Sequence, residues 1–141
     1  MPVRALVVDP SAPAVRLAEV PDPVPGPGQV LVDVSHVSLN YGDLNDARSG
    51  RVPMGAVLGS DAAGVVARAA ADGTGPAVGT RVVALTSGAF AERVAIDVGA
   101  LAEVPKNLDP AEAVALPVAG VAALRSLRAA GLGRGKRVLV T

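Results

Sequence analysis

Sixteen glycines and twelve prolines cut this chain into short segments, and such punctuation suits short strands joined by turns. Val3 to Asp9 and Ala14 to Val20 read as two strands, with Pro10 to Pro13 turning between them. The run PDPVPGPG, Pro21 to Gly28, is too proline-rich for a helix or a central strand and reads as a rigid extended loop. Gln29 to Leu39 is the longest strand expected. Val30, Val32 and Val34 share one face, and Leu31, Asp33 and Ser35 form the other, wetter one. Asn40 to Ser49 suits a short helix or turn ended by Gly50, and Val52 to Leu58 a loop. Ala62 to Ala71 and Thr80 to Thr86 read as strands around the Gly73 to Pro76 loop, with Phe90 to Ile96 as one more.

Apolar residues make up 50% of the chain, mostly Ala, Val and Leu, with one Tyr and one Phe. A core built from small branched side chains favours sheet. The pattern changes at Asp109. Asp109, Pro110 and Glu112 supply a carboxylate cap, a proline at the first helical position and an acid three residues after the cap. Pro117 interrupts, and a second helix is expected from Val118 to Ala130, ended by Gly131, with Val121, Leu124 and Leu127 on one face. The last segment, GRGKRVLVT, reads as a turn followed by a strand from Arg137 to Thr141. Its run Val138, Leu139, Val140 is apolar at every position, as in a parallel strand buried on both faces. Such a strand needs neighbours reached by crossover connections. The expected division is therefore a strand-rich unit over 1–130 and, over 131–141, the threshold of a second, truncated domain.

Thirteen basic residues balance thirteen acidic ones, so no net field draws in nucleic acid or an anionic membrane. With aromatic residues at 1%, bases have no stacking platform. The absence of cysteine removes disulfides, thiol nucleophiles and thiolate metal sites, and one histidine leaves little for an imidazole site. The uncharged stretch Ala113 to Leu124 falls short of the ~20 residues of a membrane span. MPVRALVVDP lacks a signal-peptide pattern, so a cytoplasmic location is expected.

Three segments carry polar groups that chemistry could use. In SLNYGD, Ser38 to Asp43, an amide, a phenol and a carboxylate leave the long strand together. Asn40 can donate and accept hydrogen bonds, and Tyr41 offers a proton. The same residues also read as a helix entry with polar caps. In LGSDAAGVV, Leu58 to Val66, Ser60 and Asp61 could face a cleft or satisfy the backbone of a turn. In GAFAERVAID, Glu92 reads as a paired surface residue rather than a catalyst. GLGRGK, Gly131 to Lys136, precedes a strand instead of following one, so it is no phosphate loop. His36 lies mid-strand and no G-x-S-x-G elbow is present, which argues against a serine triad.

Taken in order, SLNYGD, the RSG at Arg48 to Gly50, LGSDAAGVV, GAFAERV, PKNLDPAEAVALPVAGVAAL and GKRVLVT resemble the medium-chain dehydrogenase/reductase superfamily, in its zinc-free quinone oxidoreductase-like branch. The resemblance spans nearly the whole chain. It implies a mainly β fold with some α: a GroES-like partly open β-barrel with connecting helices, then the first strand of a Rossmann sheet. It implies hydride transfer from NADPH to the β-carbon of quinones, enones or enoyl thioesters. Asn40 and Tyr41 would be catalytic, and Asn40 and Asp43 would lie at the cofactor. Ser60, Asp61 and Arg51 would line the substrate cleft. Zinc-dependent relatives carry a cysteine near Asn40–Tyr41 and a His-Glu pair at Ser60–Asp61, so no zinc is expected here.

Two departures bear on the substrate. Arg51 and Val52 replace an aromatic-rich loop, and Gly42 stands where a larger side chain is common. The resemblance further implies that this chain alone binds no cofactor and does not turn over. Two alternatives remain at this level: a GroES-like scaffold module, self-associating through its C-terminal end, and one chain of a split reductase.

Overall fold

Valines in alternation build the frame. In the computed structural model, residues 1–11, 14–131 and 133–139 are described. β1 (Val3–Asp9) and β2 (Ala14–Val20) form an antiparallel hairpin that pairs Val3 with Val20 and Asp9 with Ala14. β3 (Gln29–Ser38), β4 (Asp61–Arg68), β5 (Arg81–Leu85), β6 (Arg93–Asp97) and β7 (Leu101–Glu103) form one antiparallel sheet in the order β6-β3-β4-β5-β7. The sheet curls into a half-barrel, in keeping with the partly open barrel that the resemblance implies. Val30, Val32, Val66, Val82 and Ile96 are almost fully buried at its centre, with Leu58 and Phe90 packed beside them. Small branched side chains thus fill the interior, as the composition requires.

The hairpin does not pair with an edge of the sheet; it closes onto it through loops. Leu6 N–H donates to Phe90 O at 2.8 Å and Leu58 N–H to Leu6 O at 3.0 Å, while Glu92 N–H donates to Arg4 O at 3.0 Å. Residues 55–58 and 90–92 therefore both line the edge of β1 opposite β2, satisfying backbone groups that a lone hairpin would leave bare.

Three helices complete the described fold: α1 (Tyr41–Arg48), α2 (Pro110–Ala113) and α3 (Pro117–Ala129). Asp109 caps α2 by accepting from Ala111 N–H at 2.9 Å, with Pro110 at the first helical position. Pro117 separates the two helices as expected and is itself the first residue of α3. Gly131, φ +67°, follows its end as expected. The strand β7 and the 3-10 turn at Val98–Ala100 before it are additions that no periodicity announced.

The strand expected from Arg137 is not found among the described residues. Arg137 to Leu139 carry no regular structure, and Val138 and Leu139 are 48% and 87% exposed. Val140 and Thr141 lie outside the described residues, as do Ala12 and Pro13 of the first turn. An apolar run becomes a strand buried on both faces only where neighbours supply hydrogen bonds and covering side chains, and no described strand pairs with it.

Two glycines are demanded by close approach. Gly64 sits on β4 opposite a bulge in β3 between Val34 and His36, where a Cβ would overlap the Asp33 carbonyl. Gly59 has φ +102°, and a Cβ there would overlap the Phe90 ring and lie 2.7 Å from Phe90 N. Gly133 meets nothing within 4 Å. Gly59→Ala and Gly64→Ala should each lower unfolding free energy by about 3 kcal/mol or more in denaturant titrations. Gly133→Ala should stay within about 0.5 kcal/mol of the parent. Equal midpoints for all three variants would contradict this packing.

Candidate functional site

The polar residues singled out in two distant segments meet at one end of the half-barrel. β3 ends at Ser38, and the chain turns into α1 through Leu39 and Asn40. Asn40 is extended (φ −128°, ψ 169°), and its Oδ1 accepts from Gly42 N–H at 2.8 Å and Asp43 N–H at 3.3 Å. Asp43 Oδ2 accepts in return from Asn40 N–H at 3.0 Å, completing a capping box. Gly42 belongs to this geometry: a Cβ there would stand 2.9 Å from Asn40 Oδ1.

Asp43 is only 3% exposed, and its second oxygen, Oδ1, accepts from Ser60 Oγ at 2.9 Å. The next residue, Asp61, is 2% exposed and opens β4. Its Oδ1 accepts from Val118 N–H, in the first turn of α3, at 2.8 Å. The structure thus brings together Asn40, Asp43, Ser60 and Asp61. It adds Val118, a partner that no residue pattern announced.

Burial pushes the Asp61 carboxyl above its ordinary value of 3.8, and the nearby Asp43 charge adds to that. The Val118 amide and the Asn40 side chain work the other way. Asn40 Nδ2 is buried and makes no hydrogen bond. It lies close enough to Asp61 to favour the carboxylate electrostatically while falling short of bonding geometry.

Tyr41 and Arg51 stand apart from this buried set. Tyr41, the first residue of α1, is 82% exposed. Arg51 is exposed, and its N–H and Nε–H reach only Ser49 Oγ, each at 3.3 Å. Glu92 is a surface partner of Arg4: its oxygens accept from Arg4 N–H at 2.9 Å and Arg4 Nε–H at 2.7 Å. Those contacts hold its carboxyl below the usual range. His36 is exposed beside Ser35 Oγ.

A shallow, mainly apolar groove of about 440 Å³ runs between the β1–β2 hairpin and the C-terminal half of β3, lined by Leu6, Leu17, Val34, Val37, Leu39 and Phe90, with Arg4 and Glu92 beside them. It reaches to within two residues of Tyr41 along the chain. Among the described residues, no group of three His, Cys, Asp or Glu side chains stands close enough to hold a metal ion. No helix there is long and apolar enough to cross a membrane.

The Asp61 environment has a signed consequence. A carboxyl whose pKa is raised by folding holds more proton in the native state, so its contribution favours folding at low pH and is lost as pH rises through the folded pKa. Asp61→Asn keeps an oxygen for Val118 and removes the titration. Its stability relative to the parent should therefore climb as pH rises above about 4. A relative stability that falls over that range would contradict the burial argument. Ser60→Ala strands a buried Asp43 oxygen and should cost about 1–3 kcal/mol in chemical denaturation.

Comparison with known proteins places this geometry in a family. Residues 26–106 match the model of the alcohol dehydrogenase GroES-like domain. The pikromycin polyketide synthase component PikAII of Streptomyces venezuelae is 36% identical over 121 residues, which cover 85% of this chain and 3% of that protein. The acryloyl-coenzyme A reductase of Sulfurisphaera tokodaii is 29% identical over 170 residues, covering 99% of this chain and 51% of the reductase. The mycobacterial protein Rv1454c, solved in complex with NADPH, superposes with a TM-score of 0.81 at 28% identity, covering 94% of this chain and 43% of its own. The chain spans about half or less of these relatives. It belongs to the alcohol dehydrogenase GroES-like domain family, within the medium-chain dehydrogenase/reductase superfamily.

Proposed function

We propose that this chain forms the substrate-side half of a zinc-independent, NADPH-dependent oxidoreductase that reduces quinones or activated C=C bonds, such as enones and enoyl thioesters. The observation that carries this reading is a single phenol, Tyr41, exposed on a turn that buried polar side chains hold in place. The similarity to an acryloyl-coenzyme A reductase, over 99% of this chain, supports the enoyl thioester class. The NADPH bound by the mycobacterial relative supports the cofactor.

When bound, NADPH supplies the hydride received by the β-carbon of the double bond. The residues of this chain orient the substrate and manage the proton. Tyr41 Oη donates to the developing enolate oxygen, or delivers a proton to the α-carbon directly or through a water. Asn40 Oδ1 is committed to the cap, its Nδ2 is buried, and both Asp43 oxygens are bonded. Their service on the nicotinamide side is therefore to fix the turn, so that its backbone and Tyr41 present one geometry. Ser60 and Asp61 support that turn through Asp43 and the start of α3, and Arg51, exposed beyond α1, keeps its reading as a cation of the substrate cleft. The apolar groove beside Leu39 suits the carbon skeleton of the substrate. A cytoplasmic location belongs to the same reading.

A scaffold role has one observation in its favour, the part-exposed Leu124 and Leu127 of α3, 48% and 40% exposed. Concentration-dependent dimerisation lost on Leu124→Lys would favour it.

The catalytic reading is tested by NADPH oxidation with a short enoyl thioester or a quinone. The chain alone should give no rate above background. Joined to a dinucleotide-binding domain it should turn over, and Tyr41→Phe should then lower kcat by about 10²-fold with KM little changed. Enzyme-like turnover by the chain alone, or an unchanged kcat for Tyr41→Phe, would contradict it.

A further inference from the structure

We infer that Asp61 is a positioning residue that ties the start of α3 to the cap of α1, so that two adjacent side chains at the head of β4 fix two helices at once. Ser60 reaches α1 through Asp43 Oδ1 at 2.9 Å, and Asp61 reaches α3 through Val118 N–H at 2.8 Å. One peptide unit therefore sets the distance and direction between the two helix starts. The inference does not depend on hydride chemistry and holds whatever the substrate is.

Three observations converge on it. First, α3 has no cap of its own. Leu116 at its N-cap position makes no side-chain hydrogen bond, so the Val118 amide depends on a carboxylate 57 residues away. Second, α3 is lightly held by packing: Pro117 is its one buried residue, and Leu124, which lines an open groove against β5 and β7, stays 48% exposed. With so little apolar anchorage, a polar tether decides where the helix points. Third, Asp61 is 2% exposed, so it cannot serve by meeting solvent-borne substrate directly. Burying a carboxylate is costly unless it receives a donor, and the Val118 amide is the donor that Asp61 receives.

The consequence runs from α3 to the exposed phenol. The α1 cap holds Asn40 and Asp43, and Tyr41 lies between them in sequence. A shift of α3 that pulls on Asp61 drags Ser60, loosens its bond to Asp43 and disturbs the turn carrying Tyr41. Asp61 thereby makes the orientation of α3 and the pose of Tyr41 a single variable.

Two readouts follow this linkage without any activity assay. Amide hydrogen exchange reports on Val118, Gly42 and Asp43. Fluorescence reports on Tyr41, because the chain has one tyrosine and no tryptophan. In the unaltered chain under mild denaturant, the three amides should open together as one unit. Asp61→Ala should speed Val118 exchange about tenfold or more and change the emission or acrylamide quenching of Tyr41. Asp61→Asn, which retains an acceptor for Val118, should leave that amide protected. Asp109→Ala removes a comparable cap from α2 and should leave Tyr41 emission as it was.

A folded Asp61→Ala protein with unchanged Val118 exchange and Tyr41 emission would overturn the inference. So would an Asp109→Ala protein whose Tyr41 emission shifts equally, since global loosening would then suffice. If Asp61→Ala does not fold, the unaltered chain decides: Val118 opening well before Gly42 and Asp43 would overturn the linkage.

Discussion

Two carboxylates buried within one polar cluster are the constraint on which the rest of this site depends. Neither Asp43 nor Asp61 has a cation to neutralise it among its hydrogen-bond partners, so each survives burial by receiving donors. Asp43 takes a hydroxyl and a backbone amide, and Asp61 takes the leading amide of a helix. Every one of these donors comes from a different local structure: a capping box, the head of a strand and a helix N-terminus. Satisfying the acids therefore forces three elements into one arrangement. The exposed Tyr41 inherits that rigidity from the turn beneath it.

The half-barrel supplies the platform for this cluster. β3 is longer than its pairing with β6, which runs only from Gln29 to Asp33, so its second half projects past that neighbour toward Asn40. On its other side β4 runs antiparallel, and Ser38 pairs with Asp61. That register brings the end of one strand beside the start of the next. The glycine at position 64 allows β4 to follow the bulge in β3, keeping the register that joins SLNYGD to SD. Packing in the core and polar chemistry at the rim are thus set by the same pair of strands.

Local signals carried far in the sequence. The hairpin, the long strand, the Asn40 cap and the Gly131 stop all follow from residues within a few positions of one another, as does the Asp109–Pro110 start of α2. What escaped is what forms at a distance. The bond from Asp61 to Val118 leaves no trace in spacing, because its partner is a backbone amide. β7 is three residues long, too short for alternation to register. The apolar Arg137–Leu139 run shows the same limit from the other side: hydrophobicity suggests a buried strand, and pairing partners decide whether one forms. At the site, Asn40, Asp43, Ser60 and Asp61 were legible as polar residues in suggestive places. Their division into a buried supporting set and an exposed phenol needed burial, which one-dimensional pattern does not supply.

The proposed function makes this turn one wall of a site for activated alkenes. The most direct measurement is a titration of the chain with crotonyl-coenzyme A, an enoyl thioester, followed by backbone amide chemical shifts. Shifts should concentrate at Leu39 to Asp43 and along the Leu17–Val37–Phe90 groove, and weaken in Tyr41→Phe. Shifts confined to the far edge of the sheet around Arg93 to Glu103, or none at millimolar ligand, would contradict it.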